Sequence, residues 1–258
     1  MNALREALLR GKRRPRLSGA GSPTLFRGDG YEFVELRAYA PGDDVRRIDW
    51  AATARSAQLQ TRVILEDVAL TLAVLLDTSP SMQAGRRRPL LAAAREALDT
   101  WFGAAISGDR RVQIFSDEAL AYPMASNAPF SLKDALNVAA AVLSRGTALL
   151  AIGDFWDMPE DDDAIVFLGR RFDCTALIAR DPWFDELPLR GFVRIADAES
   201  ARSQLLYIGA REARKYVAAV REREEQLIER FRRANWRTGA FGEEEDGGAA
   251  LMHAFGVR

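Results

Sequence analysis

The run from Leu72 to Leu76 carries no polar side chain on either face and stops abruptly at Asp77. A strand of that kind has water on neither side, so it belongs inside a parallel sheet covered by helices. Its end is as informative as its length. Asp77, Ser79 and Ser81 put a carboxylate and two hydroxyls at alternating positions just past the strand. In an open parallel α/β sheet, ligands bind at the loops that follow the carboxyl ends of the strands. Three hard oxygen donors in such a loop suit Mg²⁺, which favours octahedral oxygen coordination. Asp, Ser and Pro are also ordinary turn residues, and the spacing alone leaves both readings open.

The surrounding pattern alternates strand and helix. Residues 59–67 read as a strand leading into a second at 69–76. Residues 89–106 are helical, with Pro89 in the first turn. Residues 111–115 form a short strand, with a hairpin extension over 119–122, and 132–143 a helix capped by Ser131. A second apolar strand, 148–153, ends at Asp154. Then come a helix over 161–171 and strands at 174–179 and 191–195. The longest helix, 209–235, spaces Ala213, Tyr216, Val217, Val220, Leu227, Ile228 and Phe231 along one face. Residues 243–248 read as a solvated loop with a flexible Gly247-Gly248 pair, before a short C-terminal segment. This order predicts an α/β protein with a mostly parallel sheet and helices on both faces.

Composition narrows the function. Net charge is −1 over 258 residues, so no global field draws the chain to nucleic acid. One cysteine, Cys174, and one histidine, His253, exclude an internal disulfide framework and a Cys/His zinc site. No apolar run approaches the ~18 residues of a membrane span, and the basic start lacks the apolar core of a signal peptide. A cytoplasmic protein is expected.

Three regions follow. Residues 1–17 are a basic arm, with Arg5, Arg10, Lys12, Arg13, Arg14 and Arg16 against Glu6 alone. It reads as a solvated, frayed terminus in preference to a nucleic-acid or membrane contact. Residues 18–68 open with a Ser/Gly/Pro linker and continue as a small β-containing segment dense in charge. Arg37, Asp43, Asp44, Arg46, Asp49 and Arg55 read as an internal network of charge-assisted hydrogen bonds or, less favoured, as a partner surface. Asp43 or Asp44 is expected to cap a short helix running to Trp50, with Trp50 in the core. Residues 69–258 form the alternating α/β domain.

Arg37-Ala38-Tyr39-Ala40-Pro41-Gly42-Asp43-Asp44-Val45-Arg46-Arg47-Ile48-Asp49-Trp50, followed by Asp77-Thr78-Ser79-Pro80-Ser81, resembles the bacterial domain-of-unknown-function 58 family. Gly30-Tyr31-Glu32-Phe33, Ile152-Gly153-Asp154-Phe155 and the stretch from Asp181 to Pro188 also fit. The resemblance implies a Rossmann-like sheet of the von Willebrand factor A type. It further implies a metal-ion-dependent adhesion site that binds Mg²⁺ and offers it to a partner's carboxylate. It also implies a chaperone-like or assembly role beside a MoxR-type AAA+ ATPase. Asp77, Ser79 and Ser81 match the first metal-binding loop, and Asp154 matches the third. The second-loop threonine has no counterpart. Thr147 opens the strand that Asp154 closes, about 23 Å away at 3.3 Å per residue. Ser126, Asn127 and Ser131 occupy the loop where that ligand belongs, though in no motif.

The expectation is therefore a non-enzymatic, Mg²⁺-assisted interaction module that serves a MoxR-type ATPase as adaptor or co-chaperone. Two other classes compete with it. A metal-dependent hydrolase or phosphatase lacks a Gly-x-Ser-x-Gly elbow around Ser79, a well-placed histidine and a second carboxylate two residues after Asp77. Nucleic-acid binding through the basic arm is weakened because the long helix mixes charges of both signs.

Overall fold

The computed structural model describes residues 3–13, 31–40, 45, 48–66, 69–114, 131–196 and 202–257. Two units are distinguished: Met1–Arg14 with Leu70–Arg258, and Pro15–Ala69.

In the larger unit, α1 (Ala3–Arg13) precedes β3 (Thr71–Leu76), α3 (Leu90–Gly103), β4 (Arg110–Ile114), α4 (Leu132–Val142) and β5 (Ala148–Gly153). After these come α5 (Asp163–Arg171), β6 (Asp173–Ala179), β7 (Gly191–Ala196), β8 (Ser203–Ile208), α6 (Ala210–Arg233), β9 (Arg237–Phe241) and α7 (Gly247–Ala254). The smaller unit contributes β1 (Tyr31–Ala38), α2 (Trp50–Ser56) and β2 (Gln60–Glu66).

Five strands make one sheet in the order β4-β3-β5-β6-β9, and every pair in it is parallel. The expected mixed α/β class with helices on both faces is what the chain adopts. The all-apolar run of β3 explains its inner place. Leu72, Val74 and Leu76 pack on one side with Leu91, Leu98, Trp101 and Leu251. Ala73 and Leu75 pack on the other with Leu136, Leu168 and Phe231. Thus α1, α3 and α7 cover one face, and α4, α5 and α6 the other. β3 comes first among these strands yet lies inside the sheet, between β4 and β5. Strand order reverses there, which opens a crevice at the carboxyl ends of β3 and β5.

Several sequence expectations are corrected. The arm is no frayed terminus over Ala3–Arg13: it is a helix whose Leu4 and Leu8 are fully buried. Arg5 reaches Asp109 in a buried ion pair. Burying two leucines is worth several kcal/mol, about 1.5–3 each, enough to fix a short helix. Gly247 and Gly248 are not flexible: they begin α7 and are buried against α3. β8 and β9 have no counterpart in the sequence reading because neither alternates apolar and polar residues. β8 pairs antiparallel with β7 in a hairpin that leaves Phe192, Leu205 and Tyr207 exposed.

In the smaller unit, β1 and β2 pair antiparallel. Asp49 caps α2 by accepting the Ala52 N–H at 2.9 Å. The helix expected from Asp43 or Asp44 to Trp50 falls largely outside the described residues. Trp50 is 68% exposed, against the core position expected, because the first residue of a short helix is easily left uncovered. Arg55 is exposed in the last turn. Asp43, Asp44, Arg46, the side chain of Arg37 and the 119–122 hairpin lie outside the described residues. Among the described residues, no helix is long and apolar enough to cross a membrane.

Candidate functional site

β3 and β5 run side by side with Leu76 opposite Ile152, and Asp77 extends the pairing by donating its N–H to the Ile152 carbonyl at 2.8 Å. The two strands therefore deliver Asp77 and Asp154 to the same edge, at the point where strand order reverses. Both residues are buried, at 3% and 6% exposure. Past Asp77 the chain bends at once. The Ser79 N–H donates to Asp77 Oδ1 at 2.8 Å, and Pro80 opens a 3-10 turn through Gln83. That turn brings the Ser79 and Ser81 hydroxyl oxygens to 2.8 Å, within one hydrogen bond.

The corner after β5 repeats the device. The Trp156 N–H donates to Asp154 Oδ1 at 3.1 Å. Between them Phe155 takes φ +54°, a left-handed conformation that strains a bulky side chain. Packing compensates, since the buried ring stands edge-on to Phe231 at a centroid distance of 5.1 Å. Trp156 instead turns outward, 56% exposed, beneath the Arg223 guanidinium at 3.7 Å. Arg223 donates to the Asp154 carbonyl at 2.9 Å.

The first turn of α4 meets this corner through Asp157, whose Oδ2 accepts the Leu132 N–H at 2.5 Å. Ser131 is spent as the cap of α4, accepting from the Asp134 N–H at 3.3 Å. It lies in the loop expected of a second-loop ligand, with a local structural task of its own. Ser126 and Asn127 lie outside the described residues. Thr147 donates to the Ser144 carbonyl at the opposite end of β5, as the strand length requires.

The electrostatics follow from this crowding. Burial pushes the Asp77 carboxyl up from 3.8 to about 7, and the charges of Asp154 and Asp157 push the same way. The Ser79 hydroxyl and amide oppose them by stabilising the charged form. A buried carboxylate beside two others is costly to ionise, and a cation would relieve that cost. The donors at hand are two carboxylates and two hydroxyls, all hard oxygens suited to Mg²⁺. Among the described residues, no three His, Cys, Asp or Glu side chains cluster as a metal site by themselves. An ion here would thus depend on Ser79 and Ser81 as well as on Asp77 and Asp154.

Gly153, Trp156, Asp157 and Arg223 belong to this site and were missed in the sequence. Asp157 and Trp156 carried a weak signal, being close after Asp154. Arg223 carried none, since it stands 69 residues from Asp154 on a helix crowded with charge.

A family model described as Protein of unknown function DUF58 matches residues 35–126, which bears out the resemblance drawn from the Arg37–Trp50 motif. Two relatives are Uncharacterized protein Mb1516 of Mycobacterium bovis and Uncharacterized protein Rv1480 of Mycobacterium tuberculosis. Each is 32% identical over 206 residues, which cover 68% of this chain and 63% of the relative. The chain thus spans less than two thirds of the length of these relatives. Among solved structures, the conserved hypothetical protein BatB from Bacteroides thetaiotaomicron aligns with a TM-score of 0.43 at 13% identity, covering 73% of this chain and 98% of BatB. An aerotolerance-related membrane protein from Bacteroides fragilis gives a TM-score of 0.43 at 14% identity, over 72% of this chain and 96% of its own. Likenesses this slight bear on neither fold nor function.

Proposed function

We propose that this chain is a non-enzymatic, cytoplasmic protein-interaction module of the von Willebrand factor A type, with a Mg²⁺-dependent adhesion-like site. In this reading it acts as adaptor or co-chaperone of a MoxR-type AAA+ ATPase. The observation that carries the site is the meeting of Asp77 and Asp154 at the reversal of strand order, with the Ser79–Ser81 hydroxyl pair beside them. Asp77, Ser79, Ser81 and Asp154 would hold the ion. Bound there, Mg²⁺ supplies an open coordination position for a carboxylate oxygen of a partner. The chain's own residues do the rest: the Ser79 amide orients Asp77, the Trp156 amide orients Asp154, and Phe155 keeps that corner closed. The ATPase partner is supported by the family resemblance, and the cytoplasmic setting by the lone cysteine.

The test is binding of the full chain to a MoxR-type AAA+ ATPase from the same organism, by calorimetry in MgCl₂ and in EDTA. Binding in Mg²⁺ that falls at least tenfold in EDTA and with Asp77→Ala supports the reading. Equal binding in all three sinks the metal mechanism, and no binding in any condition sinks the adaptor role.

A further inference from the structure

Arg223 lies near the middle of α6, and its guanidinium reaches the carboxyl edge of the sheet, stacked 3.7 Å over Trp156. Arginine has five N–H donors in a planar fork. Among the described residues, Arg223 makes one hydrogen bond, to the Asp154 carbonyl, and no ion pair. A half-buried guanidinium held by one bond and one ring keeps most of its fork for something else.

The scaffold around it is built with strain. A strand can end in a turn without forcing a phenylalanine to φ +54°, yet Phe155 is held there. The residue that locks it, Phe231, stands about two turns beyond Arg223 on the same helix. One helix therefore both fixes the corner and positions the cation above it. The result is that Phe155 points into the core while the indole of Trp156 faces outward under Arg223.

We propose that Arg223 and Trp156 form a carboxylate-binding site that takes an Asp or Glu side chain of a partner protein, beside Asp154. The fork matches two carboxylate oxygens, and the exposed indole covers one side of the pair against water. Local charge selects carboxylate over phosphate. The charges of Asp154 and Asp157 act on Asp77 here, and Arg223 feels Asp154 and Asp181. A phosphoryl group with nearly two charges meets that field with about twice the repulsion of a carboxylate. The inference rests on this edge being the partner-binding edge, but it does not require the ion.

The test is fluorescence anisotropy of the full chain with a labelled peptide of alternating Asp and Gly, in MgCl₂ and in EDTA. Asn-Gly and phosphoserine-Gly peptides serve as comparisons. The Asp-Gly peptide should bind about tenfold tighter than the Asn-Gly one, and Arg223→Lys should abolish most of that advantage by keeping the charge and losing the fork. Trp156→Ala, at an exposed position, should weaken binding about as much and serves if Arg223→Lys lowers the melting temperature. Arg223-dependent binding that persists in EDTA supports the proposal even if the metal reading fails. Binding that needs Mg²⁺ and Asp77 but ignores both variants overturns it and leaves the metal reading intact. Tighter binding of the phosphoserine peptide overturns the choice of carboxylate.

Discussion

Asp77 and Gly153 touch across the β3–β5 pair so closely that a Cβ on Gly153 would fall 2.8 Å from the Asp77 Cβ and 3.2 Å from its Oδ2. Real Cβ atoms do not approach that near, so the Asp77 side chain occupies space that any residue other than glycine would fill. The glycine is what lets a carboxylate bend back over the neighbouring strand and stay buried beside Asp154.

Gly153→Ala is therefore expected to displace Asp77 while leaving the apolar layers beneath it in place. Overpacking of this kind costs about 1–3 kcal/mol, read as a lowered midpoint in urea. Mg²⁺ affinity, measured by calorimetry, should fall by about tenfold or more. A variant that melts lower yet binds Mg²⁺ as wild type does would show that Asp77 is no ligand.

The buried carboxyl also sets a pH trend. Asp77 titrates near 7 when folded against 3.8 ordinarily. Between those values the folded state holds a proton that the unfolded state has released. Its contribution to stability is thus fully present below about pH 4 and lost as pH rises through 7. In EDTA, the unfolding free energy from urea titrations should fall over that window by an amount on the order of a few kcal/mol. Asp77→Asn should flatten the slope and be more stable than wild type at pH 8. Saturating Mg²⁺ should restore wild-type stability at high pH, because an ion favours the charged form.

The parts of this architecture that could be read in the sequence are those set by burial on two faces. The β3 run and the 148–153 run left no alternative to inner strands, and each ended in its own aspartate. What could not be read depended on neighbours far along the chain. Leu4 and Leu8 look like a weak amphipathic start until α3 offers a wall to bury them. Gly247-Gly248 reads as a loop until Ala93 is seen to need that space. Arg223 is one arginine among many on α6 until the chain brings Trp156 beneath it.

The N-terminal helix gives a third expectation. The Asp109 side chain is 1% exposed and also accepts the N–H groups of Leu70 and Ile106 at 2.7 and 2.8 Å. Arg5→Ala leaves that charge buried with its backbone partners alone. Removing one member of a buried pair costs about 3–5 kcal/mol, and Leu8→Ala should cost about 2–5 by opening a cavity. Urea denaturation followed by tryptophan fluorescence reads both. Losses under half a kcal/mol would return this segment to a frayed arm.

Two glycines in the α3–α7 pair should respond to alanine with opposite signs. A Cβ on Gly247 would fall 1.8 Å from the Ala93 carbonyl oxygen, so Gly247→Ala must push α7 off α3 and loosen the buried Leu251. The expected loss is about 1–3 kcal/mol. Gly103, at the end of α3, has nothing within 4 Å of its Cβ position. Alanine there removes freedom from the unfolded chain without a clash, which stabilises by about 0.5–1 kcal/mol. Thermal melts of the two variants separate these effects. If both lower the melting temperature alike, close packing of α7 is not what makes Gly247 necessary.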